Sequence, residues 1–477
     1  GQKAGGKGPD IYDCICIHNT VCFYDTGITY QNTGRREEEY ERGFIKKRGR
    51  VMREDSFVLK GNICYAKTKD QLSVTDQGYL VCCQGLSKGV YPVLPEEYRN
   101  LPVTDYQDML IVPGMTDLHI HAPQYPFRGL GMDLELLEWL DTHTFPEESR
   151  YKDLDYAEKA YGIFAEDLKQ SATTRAVVFG TVHVPATGLL MEKLEDTGLV
   201  TYVGKVNMDQ NSTDDLRETD AVTALDATAA WIEETKGKYQ NTRPILTPRF
   251  APTCSGPLME GLGKLQREYG LPVQSHLSEN LSEIEWVKEL FPWSSCYGDV
   301  YEHYGLFGGQ AKTVMAHCVH SSDTEVELMK KKGVYVAHCP QSNINLSSGI
   351  APIRRYLEEG IPVGLGTDMA GGANISMFRC MADAVGVSKL YWRLADQGKR
   401  PLAMEEVFYL ATKGGGSFFG KAGSFEEGYE LDALVLDDKG IRSTRTLGTK
   451  ERLERCIYLA EEGKRLAGKY AAGKKVI

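Results

Sequence analysis

The chain has 477 residues, of which 42% are hydrophobic and 25% charged, with a formal net charge of -11. That length exceeds one ordinary core and suits a large barrel with a smaller appended unit, while the acidic balance argues against nucleic-acid and anionic-membrane partners. No apolar run is long enough to span a bilayer and no signal segment opens the chain, so the expectation is a cytoplasmic protein without a membrane partner.

Residues 1–52 begin Gly- and Lys-rich and continue as the mixed-charge run NTGRREEEYERGFIKKRGR, which reads as a disordered leader without chemistry. Residues 53–112 carry short β-like runs, SFVLKGNICYAK and GYLVCCQGLSKGVYPVL, separated by polar turns. From there apolar strands alternate with amphipathic helices. Candidate strands are Met109–Met115, Arg175–Gly180, Val200–Asn207, Ile245–Phe250, Pro272–Leu277, Thr313–Cys318, Gly333–Cys339 and Pro362–Asp368. Helical patterns include Asp153–Ser171, Asp214–Tyr239 and Gly256–Gly270. Gly270-Leu271-Pro272 and Gly360-Ile361-Pro362 each combine a helix stop with the start of a new element. Strands and helices in this alternation predict an α/β fold, a closed (β/α)8 barrel over residues 113–423. A doubly wound open sheet is less favoured, because no Gly-x-Gly-x-x-Gly loop follows the first strand. The last segment returns to β alternation in GSFEEGYELDALVLDDKG and closes with the helix-patterned tail TKERLERCIYLAEEGKRLAGKYAAG. Residues 53–112 and 424–477 are therefore expected to form one composite β domain with a C-terminal helix. The twelve cysteines make no C-x-x-C pair and no regular framework, as reduced thiols would.

Candidate chemistry begins at PGMTDLHIHAPQ. Residues two apart on a strand face the same way, so His119 and His121 converge on one centre. Alone, the pair could equally be two hydrogen-bonded histidines in a turn. Further polar residues sit at the ends of later strands: His276 in LPVQSHL with Glu279 after it, His317 in TVMAHC, His338 in VYVAHC and Asp368 in PVGLGTD. In a barrel all these ends surround one mouth. The set suits Zn²⁺ held by His119, His121, His276 and Asp368, with iron second because imidazole and carboxylate suit it too. Such a metal makes bound water a nucleophile near neutral pH, which His317 would orient and for which Glu279 would shuttle protons. Each residue also has a structural reading. His276 could be a satisfied core histidine, Glu279 could open a helix, and Asp368 could cap a turn before Gly371-Gly372; His338 is read as structural.

Together, PGMTDLHIHAPQY, TPRFAPTCS, QSHLSEN, TVMAHC, HCPQSNINLSSG and GLGTDMAGG resemble the guanine deaminases of the amidohydrolase superfamily, over roughly residues 53–477. The resemblance implies a single zinc on His119, His121, His276 and Asp368, catalysis by Glu279, His317 and Asp368, and a homodimer. It also implies hydrolytic deamination of guanine to xanthine and ammonia. Substrate contacts carry over to Gln124, Arg249 and Phe250, and to His121, His276, Glu279 and Asp368 at the metal side. Arg249 has only donors to offer a purine, and Phe250 a flat apolar face. Trp139 in LLEWLDTHTF is a further candidate wall, although an amphipathic helix explains it nearly as well. Three alternatives stay open: another purine, pterin or triazine ring as substrate; a second metal bridged by a carbamylated Lys205; and a barrel kept as a non-catalytic scaffold. Deamination by the H-x-E and P-C-x-x-C fold is excluded, since the chain has no C-x-x-C.

Overall fold

The computed structural model describes residues 56–459 and 465–477. The leader read at 1–52 lies outside the described residues, as does 460–464 within the tail. Eight parallel strands form the barrel. They are β1 (Met115–His121), β2 (Thr173–Phe179), β3 (Val200–Gly204), β4 (Thr242–Pro244), β5 (Val273–Leu277), β6 (Thr313–His317), β7 (Tyr335–His338) and β8 (Val363–Leu365). Parallel ladders join β1 through β4 and β5 through β8. Beyond β3 and β4, Val206–Asn207 pairs with Thr247–Pro248. A parallel bridge from Leu246 to Val273 connects β4 to β5. At the remaining seam, Asp368 N–H donates to the His119 carbonyl at 2.8 Å and His121 N–H to the Met369 carbonyl at 3.1 Å, closing the ring.

Helices return the chain between strands, as parallel pairing requires. Leu154–Gln170 shows why these segments are helical. Its buried Ala157, Ala160, Tyr161, Phe164, Ala165 and Leu168 fall three and one apart on one stripe, and the Asp153 side chain caps the free N–H groups of Asp155 and Tyr156. Gly256–Tyr269 ends where Gly270 turns left-handed at φ +64°, a conformation open to glycine at little cost. No helix among the described residues is long and apolar enough to cross a membrane.

A seven-stranded mixed sheet stands beside the barrel. Its order is Lys474–Lys475, Arg465–Ala471, Ala433–Asp437, Val103–Pro113, Phe57–Thr68, Gln71–Cys83, Leu86–Tyr91, so it draws on both ends of the described chain. Arg175 of β2 ties it to the barrel. The guanidinium is buried, donating from Nε to Asp432 Oδ2 at 2.5 Å and from Nη2 to Asp432 Oδ1 at 3.2 Å, with Glu430 on Nη2 at 2.7 Å. Asp432→Ala would leave that buried cation with Glu430, an exposed side chain, in place of its buried bidentate partner. We expect a loss of about 3–5 kcal/mol, read as a lowered midpoint of chemical denaturation; a change below about 1 kcal/mol would sink the clamp.

Several expected boundaries move. The apolar run from Met109 belongs to the side-sheet strand Val103–Pro113, and the first barrel strand starts after Gly114. The expected strand Ile245–Phe250 is two short pieces, Thr242–Pro244 and Thr247–Pro248. The helix expected over Asp214–Tyr239 is Ala221–Thr235, capped by Asp220. Among the described residues, the tail read as wholly helical is a helix at Thr449–Tyr458 and not beyond it. Arg465–Ala471 is a strand, because its backbone pairs with Ala433–Asp437.

Candidate active site

The ends of β1, β5 and β6 and the turn after β8 bring five polar side chains to one point. His119 and His121 share a face of β1, with their Nε2 atoms 3.2 Å apart; His121 Nε2 lies 3.2 Å from His276 Nε2. Asp368 Oδ1 is 3.1 Å from His119 Nε2 and 3.5 Å from His121 Nε2. The ligand atoms of His119, His121 and Asp368 lie within 4.8 Å of one another, as do those of His119, His276 and His317. Two donor atoms on a tetrahedral zinc are separated by about 3.3 Å, which follows from Zn–N lengths near 2.0–2.1 Å. The observed spacings bracket that value, and three ring nitrogens plus a carboxylate oxygen suit the ion.

Protonation states agree with this use. Burial pushes His119 below its ordinary value, and pushes His121 and His276 well below it, the direction that favours the neutral form a metal ligand needs. His276 Nδ1 lies 2.6 Å from the Arg249 carbonyl, which selects the tautomer with Nδ1 as donor and Nε2 facing the cluster. Burial pushes Asp368 up, but the neighbouring histidines prevail and hold it well below the usual carboxylate range. Glu279 goes the other way: burial, then the Asp368 charge, push it well above its ordinary value, the direction that favours its protonated form.

Backbone strain helps aim these groups. Ser278, His317, Cys318 and Asp368 all have positive φ, between +47° and +73°, a region that costs a non-glycine residue about 1–3 kcal/mol. Each sits where a strand gives way to its loop; His317 and Asp368 line the mouth, whereas Ser278 Oγ donates to Glu325 at 2.7 Å and Cys318 packs in the core. His317 is held by Asn343, Nδ1 to Oδ1 at 2.9 Å, while its Nε2 has no hydrogen-bond partner. That nitrogen faces Glu279 Oε2 at 3.4 Å and Asp368 Oδ2 at 3.7 Å. Ser348 Oγ donates to Glu279 Oε1 at 3.1 Å, and the Glu279 N–H donates to Glu283 Oε2 at 3.0 Å.

His121, His276, Glu279, Glu283, His317 and Asp368 line a pocket enclosing about 430 Å³, its mouth included. Gln124, Arg249 and Phe250 form another part of its wall, together with Trp139 and Leu136. Trp139 is thus on the wall, carried by the short helix Leu136–Trp139. His338 lines a different recess. Lys205 is buried and its amine is paired with Glu218, a partner the bridging-lysine alternative leaves out. Sequence reasoning missed Asn343, Ser348, Glu283 and Glu148. The motif HCPQSN contains Asn343 and could have pointed to it.

A profile of the Amidohydrolase family matches residues 110–465, most of the chain. The chain belongs to the amidohydrolase family. Among amidohydrolase relatives, it is 42% identical over 399 residues to the probable guanine deaminase of Schizosaccharomyces pombe, covering 80% of this chain and 75% of the relative. Identity to the Homo sapiens guanine deaminase is 35% over 423 residues, covering 85% of this chain and 91% of the relative. The crystal structure of guanine deaminase from C. acetobutylicum with bound guanine superposes with a TM-score of 0.85 at 46% identity, covering 88% of this chain and all of that one.

Proposed function

We propose that this amidohydrolase deaminates guanine hydrolytically to xanthine and ammonia. One observation carries the reading: a pocket walled by Gln124, Arg249 and Phe250 also contains the His-and-Asp cluster, in a chain 46% identical to a structure that holds guanine. His119, His121, His276 and Asp368 are the residues we assign to hold one Zn²⁺ per chain. The ion spacing argued above supports the choice, and iron is the second candidate. When bound, such an ion supplies Lewis acidity and lets a water ionise near neutral pH.

The side chains supply the rest. Phe250 offers a face for the purine ring, and Arg249 and Gln124 offer donors to its edge. Attack of water on C2 is slow while the adjacent ring nitrogen keeps its lone pair. Glu279, whose burial favours the protonated form, is the group to give that nitrogen a proton. The unpartnered Nε2 of His317 and the Asp368 carboxylate are placed to take the proton of the attacking oxygen. The proton taken from the attacking oxygen passes to the amino group, which leaves as ammonia, and the oxygen's remaining proton returns to Glu279, giving the second carbonyl of xanthine. Among the described cysteines, Cys64, Cys83, Cys254, Cys296, Cys318, Cys339 and Cys380 are reduced thiols, in keeping with the cytosol as the working compartment.

Ammonia release from guanine tests the reading, with adenine and cytosine as controls. We expect turnover of guanine alone; a pterin or triazine turned over while guanine is not would assign the pocket to another ring.

A further inference from the structure

Glu148 has no part in the chemistry above, yet it is buried at the edge of the pocket, near the end of the helix Phe145–Ser149. Its two oxygens connect the two donors assigned to the purine. Gln124 Nε2 donates to Glu148 Oε1 at 2.9 Å, and Arg249 Nη2 donates to the same oxygen at 3.1 Å. Arg249 Nη1 donates to Oε2.

Two consequences follow for what the pocket presents. The Gln124 amide is locked, since its Oε1 accepts from Ala370 N–H at 3.1 Å while its Nε2 faces the carboxylate. Swapping nitrogen and oxygen would set oxygen against oxygen and N–H against N–H. The Arg249 fork is fixed in plane by its bidentate partner and by the Phe145 ring, 5.3 Å from the guanidinium carbon. Its charge is also neutralised within the protein, so the purine edge meets oriented N–H donors without a free cation.

We propose that Glu148 is a positioning and specificity-determining residue: acting through Gln124 and Arg249, it sets the donor array for a neutral purine and withholds from anionic purines the charge that would attract them. The proposal rests on the deaminase reading.

The test compares wild type with Glu148→Gln in steady-state kinetics on guanine, with urate, an anionic purine, as competitive inhibitor. In Glu148→Gln one acceptor is lost and Arg249 becomes an unpaired cation. The guanine KM is expected to rise about tenfold, the size of one lost charge-assisted hydrogen bond. The urate inhibition constant should hold or fall, and metal per chain should not change. General loosening of the pocket would weaken both ligands alike, so an equal shift in both, or a guanine KM within about twofold of wild type, overturns the proposal. Glu148→Asp keeps the charge but is too short to hold both partners, and serves if the first variant does not fold. There the urate-to-guanine ratio should stay near wild type while the guanine KM rises; an unchanged KM counts against the proposal. Wild type that releases no ammonia from guanine would instead sink the deaminase reading.

Discussion

Glu279→Gln is expected to lower kcat for guanine by about a thousandfold, in the range for loss of a general acid–base group. The variant isolates the proton, because the amide has nearly the shape of the acid. Its oxygen can still accept from Ser348 Oγ, and the backbone N–H that donates to Glu283 is untouched. The amide nitrogen can donate a hydrogen bond to a ring nitrogen but cannot give up a proton. Metal content and the guanine Kd should therefore stay within about threefold of wild type, which separates lost chemistry from lost binding. A kcat within about tenfold of wild type would remove Glu279 from the proton transfer.

Removal of the metal is the second large effect. Dialysis against a chelator should abolish ammonia release, and titration with Zn²⁺ should restore it at one equivalent per chain. The chelated protein should also lose heat stability, since an ion that binds only the folded state stabilises it by RT ln(1 + c/Kd), where c is the free ion concentration. Without an ion, the ring nitrogens of three histidines remain crowded at 3.2 Å beside the Asp368 carboxylate. Full activity in protein shown by elemental analysis to hold no metal would refute the assignment.

The difference between what the sequence revealed and what it hid has physical causes. His119 and His121 were legible because strand geometry puts alternate residues on one face, and His276, His317 and Asp368 because each ends an apolar run. Barrel topology then makes a shared end a shared place. The start of β1 was hidden because its apolar lead-in, Met109 to Val112, is buried in the side sheet, while β1 itself carries the polar Thr116, Asp117, His119 and His121. Arg465–Ala471, rich in Gly and Ala, has no strand signature; pairing with Ala433–Asp437 decides its state. Glu148 could not be read at all. In Phe-Pro-Glu-Glu-Ser-Arg an acid reads as a first-turn helix residue, and its partner Arg249 lies 101 positions away. Glu283 was masked in the same way, because it also completes the capping box of Leu281–Leu290.

The seam between β8 and β1 has a consequence for biosynthesis. Asp117 accepts from Thr367 N–H at 3.0 Å and from Thr367 Oγ1 at 2.6 Å across 250 positions, beside the point where Asp368 reaches His119. A chain growing from its N-terminus exposes the two histidines of β1 long before the carboxylate that completes their set has left the ribosome. Until then those histidines lack one member of the proposed set. On that assignment the complete four-ligand shell forms only with the eighth strand, and a chain stopping short of Asp368 would offer an ion three imidazoles of that set at most.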